Sequence, residues 1–159
     1  MSNTITQLFG AAVWLAVSMV PLQAAAETVL TVTHDGAATE YDLAALESLG
    51  AVTFETTTVW TEGTQSFTGV PLATLAMELD VDDGVFLASA INDYTIEIPV
   101  TDAVDGGPII AFLNNGAPMS VRDKGPLWIV YPYDSSPEYQ AEQIYARSIW
   151  QLDRIETKN

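Results

Sequence analysis

The residues best suited to recognising a small molecule fall in two short polar segments. The first is Asn92-Asp93-Tyr94, where Asp93 offers a carboxylate acceptor and Asn92 can both donate and accept. The second holds the cations Arg122 and Lys124, of which Arg122 can donate to a ring oxygen or stack on a flat ring. Two alternatives stay open: Asn92 and Asp93 as ordinary turn residues, and the two cations as solvated loop charges neutralised by Asp123.

Aromatic side chains supply the flat surfaces on which a planar ligand can stack. The candidates are Trp60, Trp128, Trp150, Tyr131 and Tyr133. Large aromatic residues in strands usually pack in the core, so each of them has a structural alternative. Tyr133 is the better candidate of the two tyrosines, because it precedes a polar loop where the rim of a pocket is expected.

The sequence contains few of the residues that several kinds of catalytic or metal site require. His34 is the only histidine and there is no cysteine, which argues against a histidine-based triad, a conventional zinc site and thiolate chemistry. The acidic run Asp80, Asp82 and Asp83 lacks the ligand spacing of an EF-hand and is better explained as a helix end. The formal charge of −16 argues against nucleic acid and anionic membrane surfaces as partners.

The elements that must position these residues are mostly strands. Asp42 is a candidate N-cap for a short helix at 41–49, Pro71 opens a second helix, and Asn115-Gly116 signals a hairpin. The segment 137–146 is either one helix or an ordered loop. Strands are predicted at 28–34, 51–61, 85–91, 94–99, 109–113, 127–131 and 149–155. The sequence therefore predicts a β-rich α+β domain with two or three short helices.

The N-terminal segment predicts export from the cytoplasm. An apolar run from Leu8 to Val20, a break at Pro21 and the small residues before Glu27 fit a cleaved signal peptide over residues 1–26. An uncleaved anchor is the alternative, but the run is shorter than the roughly 20 residues that span a bilayer. We therefore expect one domain at 27–159, located in the periplasm and without direct membrane insertion after cleavage.

Four segments, in order, carry a family likeness. They read FTGVPL at 67–72, NDY at 92–94, NGAPM at 115–119 and GPLWIVYP at 125–132. Together they resemble the molybdopterin-binding domain of sulfite-oxidase-like oxidoreductases, over most of the mature chain. In those enzymes a cysteine ligates molybdenum, whereas Thr56 or a neighbour stands in the matching stretch here. A neutral hydroxyl is a poor replacement for a thiolate ligand, so no molybdenum is expected.

The sequence is more similar to small, exported, cysteine-free relatives that keep this fold and bind a free pterin. The resemblance implies a pterin-binding protein, non-catalytic, that relays binding to the periplasmic part of a membrane signalling protein controlling cyclic di-GMP. A pterin needs aromatic faces, a carboxylate for its paired donors and a donor for its carbonyl. The predicted ligand-binding residues are Trp60, Asn92, Asp93, Tyr94, Arg122, Lys124, Trp128, Tyr133 and Arg147.

Alternatives to this function and to one of its residues stay open. Arg147 matches a segment where the enzymes keep basic residues near the cofactor's tail, or it is a salt-bridging surface residue. For the whole protein, one alternative is a periplasmic molybdopterin-dependent oxidoreductase that manages without the usual cysteine. The other is a ligand-free protein-interaction domain whose pocket is filled by its own aromatic residues.

Overall fold

The computed structural model describes residues 26–158, so residues 1–25 of the predicted signal peptide lie outside the described residues. This part of the chain forms ten strands and three short α-helices, which confirms the β-rich α+β class. The helices are α1 (Leu43–Ser48), α2 (Leu72–Glu78) and α3 (Glu142–Arg147). The strands are β1 (Thr28–His34), β2 (Ala37–Asp42), β3 (Val52–Thr56), β4 (Gln65–Pro71), β5 (Val85–Ala90), β6 (Thr95–Pro99), β7 (Ile109–Asn114), β8 (Ala117–Pro118), β9 (Leu127–Val130) and β10 (Trp150–Lys158).

The sheet is organised around β10. Its main path runs β2-β1-β10-β9-β7-β4-β3, and β5 joins it by pairing with both β10 and β6. All pairings are antiparallel except that of β1 with β10. The start of β10 pairs with β9, its later part pairs with β1, and β5 runs alongside it. Residues near the start of β10 are therefore brought beside the end of β5 and the segment that precedes β9.

Local signals account for several element boundaries. The Asp42 side chain accepts from the Ala45 amide at 2.7 Å and caps α1, as predicted. Asn115 and Gly116 adopt φ values of 51° and 77°, which confirms the hairpin between β7 and β8. Pro71 was expected as the first helical residue but is the last residue of β4 and the N-cap of α2. The apolar face of α2 is buried through Leu72, Leu75 and Ala76.

The predicted strand 51–61 is shorter in the structure, because β3 ends at Thr56. Immediately afterwards the Thr57 amide donates to the Asp134 carboxylate at 2.6 Å, and the Thr57 hydroxyl donates to it at 2.7 Å. The Thr57 amide, which would have continued the hydrogen-bond ladder of the strand, is therefore bonded to the Asp134 side chain instead. Trp60 consequently lies in the loop between β3 and β4 instead of ending a strand.

The hydrophobic core lies against the sheet and includes large aromatic residues. Trp128, Tyr131 and Tyr133 are among the largest fully or almost fully buried side chains, with Phe67 and Phe86 beside them in the same core. Tyr133 was expected near a pocket rim but is 2% exposed. None of the helices within residues 26–158 combines the length and the hydropathy that a membrane span requires.

Candidate functional site

A cleft of about 400 Å³ opens where the start of β10 meets α3 and the turn after β5. It includes three of the predicted ligand-binding residues, Trp60, Asn92 and Tyr94. The complete lining is Trp60, Ala90, Asn92, Tyr94, Tyr145, Ala146, Ser148, Ile149, Trp150 and Gln151. A larger groove of about 680 Å³ beside α2 is lined by no aromatic side chain. The cleft at β10 is therefore the better candidate for binding a flat ligand.

Trp60 is the centre of the aromatic cluster around this cleft. Its ring meets those of Trp128, Tyr133, Tyr145 and Trp150 edge-on, with centroid separations of 5.8, 6.2, 5.8 and 5.6 Å. Trp128 and Tyr133 are buried and support Trp60 from the core, whereas Trp150 is 39% exposed. The cluster thus has a buried half that fixes Trp60 and an open half that faces the cleft.

A β-bulge at Gln151 exposes the Trp150 ring. Gln151 has φ 53°, and the pairing of β10 with β9 shifts register between Trp150 and Leu152. The Gln151 backbone carbonyl accepts from the Ile91 amide at 2.9 Å, and its amide donates to the Lys124 carbonyl at 2.9 Å. A bulge adds one residue to a strand and re-aims the neighbouring side chains. Trp150 consequently lines the cleft although it belongs to a central strand.

Ser148 connects the buried aromatic residues behind the cleft. Its hydroxyl accepts from the Tyr133 hydroxyl at 2.6 Å and donates to the Ile144 carbonyl at 2.8 Å, while its own carbonyl accepts from Trp128 Nε1 at 3.2 Å. Burial raises the pKa of Tyr133 to about 12, and the hydrogen bond to Ser148 opposes that rise. Tyr133 is therefore a neutral donor near pH 7. No pattern in the sequence pointed to Ser148.

Lys124 lies beside the aromatic cluster. Its Nζ lies 5.5 Å from the ring centroid of Trp150 and 5.6 Å from that of Trp128, within the range of a cation–π interaction. No ion pair within residues 26–158 involves Lys124 or Arg122. In the alternative interpretation Asp123 neutralises them, but it forms no ion pair with either and accepts from the Ser120 hydroxyl at 2.6 Å. Arg122 is exposed on the short turn Val121–Asp123.

Asp93 and Arg147, both predicted to bind ligand, have protein partners in this structure. Asp93 occupies the left-handed turn after β5, is largely exposed and pairs with Arg154. The Arg147 guanidinium contacts the Asp102 carboxylate at 2.9 and 3.2 Å, and the Tyr131 hydroxyl donates to that carboxylate at 2.8 Å. These contacts favour the salt-bridge interpretation of Arg147. A ligand-binding role for either residue stays a prediction.

Tyr131 is held as a neutral donor in that network. Burial, followed by the charge of Asp102, raises the pKa of Tyr131 far above its ordinary range, although Arg147 acts in the opposite direction. Asp102 and Arg147 line a separate groove together with Ile144, whereas Tyr145 and Ala146 line the aromatic cleft. Helix α3 therefore contributes to both surfaces.

Thr56, the residue in the stretch that matches the metal-ligating cysteine, is buried and bonded to the protein itself. Its hydroxyl donates to the Thr57 carbonyl at 3.2 Å and accepts from the Asp134 amide at 3.1 Å. It does not line the aromatic cleft. Within residues 26–158, no group of three or more His, Asp or Glu side chains is arranged to hold a metal ion.

Replacing Asp134 with asparagine is expected to lower the Tm by about 3 °C at pH 7, as for the loss of one exposed charged contact. The pKa of the Asp134 carboxyl is lowered, chiefly by the hydrogen bond from the Thr57 amide and then by that from the Thr57 hydroxyl. Its stabilising effect is therefore complete above the unfolded value of about 3.9 and is lost as the pH falls through the lower folded value. Thermal unfolding from pH 7 to pH 2 should show the two proteins converge in acid. An undiminished difference in acid would contradict this account.

No family model matches this chain, and no curated protein matches it significantly. Of the predicted site residues, Trp60, Asn92 and Tyr94 line the cleft. Lys124, Trp128 and Tyr133 do not line it but contact side chains that do. Arg122 lies on the adjoining turn, and Asp93 and Arg147 form ion pairs with Arg154 and Asp102.

Proposed function

We propose that this chain binds a pterin in the aromatic cleft and has no catalytic activity of its own. The observation that carries the proposal is the set of four aromatic side chains, Trp60, Tyr94, Tyr145 and Trp150, around a space of about 400 Å³. That volume lies within the range of about 300–1,000 Å³ typical of small-molecule sites. A flat bicyclic ring can stack on an exposed aromatic face there while its edges meet polar groups.

The polar groups of the cleft suit the hydrogen-bonding edge of a pterin. Asn92 and Gln151 carry amides, which provide both donors and acceptors. The Asn92 oxygen accepts from the Tyr94 amide at 3.2 Å, and the Gln151 side chain donates to the Val121 carbonyl at 2.8 Å. Each amide keeps further capacity for a ligand. Asp93 would add a carboxylate only by exchanging its exposed ion pair with Arg154.

The wider role follows from the sequence resemblance and belongs to the same proposal. We place the mature protein in the periplasm, where pterin binding is relayed to a membrane-bound signalling protein that controls cyclic di-GMP. This step is an analogy with the sulfite-oxidase-like fold and the small pterin-binding relatives. Binding of a free pterin without molybdenum is supported by Thr56, whose hydroxyl is occupied by backbone partners.

Replacing Trp150 with alanine is expected to weaken pterin binding by about 10- to 100-fold, the range for losing one stacking surface. The fold should persist because Trp150 is 39% exposed and its backbone pairing is retained. Isothermal titration calorimetry with an oxidised and a reduced pterin measures the change. Met77→Ala is the matched control, because Met77 is a 74% exposed apolar residue on the other groove. Equal affinity of the Trp150 variant and the wild type would contradict the proposed site.

A ligand-free protein-interaction domain is the second candidate function. It is favoured by the apolar residues Ile91 and Val121, which are 45% and 50% exposed and are both hydrogen-bonded to Gln151, a lining residue of the cleft. Contiguous exposed apolar surface often marks a contact with another protein. This function requires that Trp150→Ala weaken a protein complex while no pterin binds to the wild type. The calorimetric titration therefore separates the two candidates.

A further inference from the structure

The aromatic cleft is an electrostatic exception in this protein. The chain has 21 acidic and 5 basic residues, yet no Asp or Glu lines the cleft. The two cations beside it, Lys124 and Arg122, have no ion-pair partner among residues 26–158. The turn at 121–124 holds these two cations and one carboxylate, Asp123, so it carries a net charge of +1 in a protein of net charge −16. This edge of the cleft therefore attracts anions locally.

Lys124 is held in position beside the cleft by the backbone. Its carbonyl accepts from the Gln151 amide at 2.9 Å, and the Gln151 side chain donates to the Val121 carbonyl at 2.8 Å, so both ends of the turn are bonded to a lining residue. Lys124 itself is half-buried, and its ammonium lies 5.5 Å from the centroid of the Trp150 ring. The indole ring excludes water from one side of the ammonium, which strengthens its attraction for an anion.

We propose that the ligand of the cleft carries an anionic substituent, a carboxylate or a phosphate, which Lys124 binds beside the Trp150 ring. Arg122, two residues earlier and exposed, adds a weaker attraction that solvent screens. The inference rests on the proposed function for the ring system and narrows it to pterins with a charged side chain. The flexible stem of Lys124 lets the ammonium follow such a group without movement of the backbone.

The first experiment compares three pterins substituted at the same ring carbon: hydroxymethylpterin, carboxypterin and hydroxymethylpterin phosphate. At low ionic strength we expect the charged compounds to bind the wild type about tenfold more tightly than the neutral one, as for one charge-assisted hydrogen bond. The two charged compounds distinguish a carboxylate from a phosphate. The advantage should shrink at about 0.5 M salt, where charges are screened over a few ångströms.

Variants of Lys124 assign this preference to one side chain. Lys124→Met should abolish the advantage of the charged compounds, and Lys124→Arg should keep most of it. Lys158→Met is the matched control, because it removes the same charge from the opposite end of β10. Equal affinities of the wild type for neutral and charged pterins, or an unchanged preference in Lys124→Met, would overturn the inference while leaving the proposed function intact.

A second pair of probes tests the anion site independently of pterins. Anilinonaphthalene sulfonate and phenylnaphthylamine share an aromatic skeleton and differ in the sulfonate group. The wild type should bind the sulfonate more tightly, and this preference should fall in Lys124→Met but not in Lys158→Met. If pterins fail to bind and this preference holds, the proposed function is wrong and the anion site stands. If the sulfonate gains nothing from Lys124, the anion site is wrong.

Discussion

Replacing Gly69 with alanine is expected to lower the free energy of unfolding by about 3 kcal/mol or more, the upper range for overpacking a buried site. Gly69 lies in β4 opposite Ala111 of β7, at a shift in the strand register. A Cβ at this position would lie 2.2 Å from the Ile110 carbonyl oxygen and 2.5 Å from the Ala111 Cα. Both are backbone atoms of a central strand, so the clash forces two strands apart. Denaturant unfolding measures the loss.

Gly63→Ala is the matched control for that experiment. An added Cβ at Gly63 meets nothing within 4 Å, and the only cost is its φ of 67°. We expect a loss of about 1 kcal/mol there, the cost of placing alanine in the left-handed region. Comparable losses at Gly63 and Gly69 would contradict the close approach of β4 and β7.

Replacing Trp60 with alanine is expected to cost about 3 kcal/mol of stability and to abolish measurable pterin binding. Trp60 is half-buried and touches four aromatic rings, so its removal leaves a cavity that extends from the cleft towards the core. The expected cost lies at the lower end of the range for tryptophan-to-alanine changes because the side chain is partly exposed. Denaturant unfolding gives the loss of stability, and calorimetric titration gives the loss of binding.

Trp60→Phe separates packing from recognition at the same position. A phenyl ring keeps an aromatic face in the cleft and part of the edge contacts, so we expect a smaller loss of stability and detectable but weaker binding. A Trp60→Ala variant that binds pterin as tightly as the wild type would remove Trp60 from the site. A variant with unchanged stability would show that the four ring contacts contribute little.

The elements whose position is determined by residues close together in the chain could be predicted from the sequence. The Asn115-Gly116 turn requires two left-handed residues and the Asp42 cap requires one acceptor three residues before an amide, so each signal lies within a few residues. The early end of β3 could not be found in this way, because Asp134, 77 residues further along the chain, supplies the competing acceptor for Thr57. The strand β2 was also missed, because its mostly exposed residues carry no clear alternation.

The candidate site was only partly predictable for the same reason. Trp60, Asn92 and Tyr94 were expected from residue chemistry and the family resemblance, and Trp150 was expected as one of the possible stacking surfaces. Tyr145 and Ser148 were missed, because they join the cleft only when β10 pairs with β5 and β9 and α3 packs beside them. The left-handed Gln151, which exposes Trp150, has no sequence signature, because glutamine rarely adopts that conformation.

Calorimetric titration of the wild-type protein measures whether the aromatic cleft binds a pterin, as we propose. Oxidised and reduced pterins should be titrated side by side, with charged and neutral substituents in each series. We predict saturable binding of one pterin per chain that falls at least tenfold in Trp150→Ala and is unchanged in Met77→Ala. Folded wild-type protein that binds none of these pterins would show that the cleft is not a pterin site.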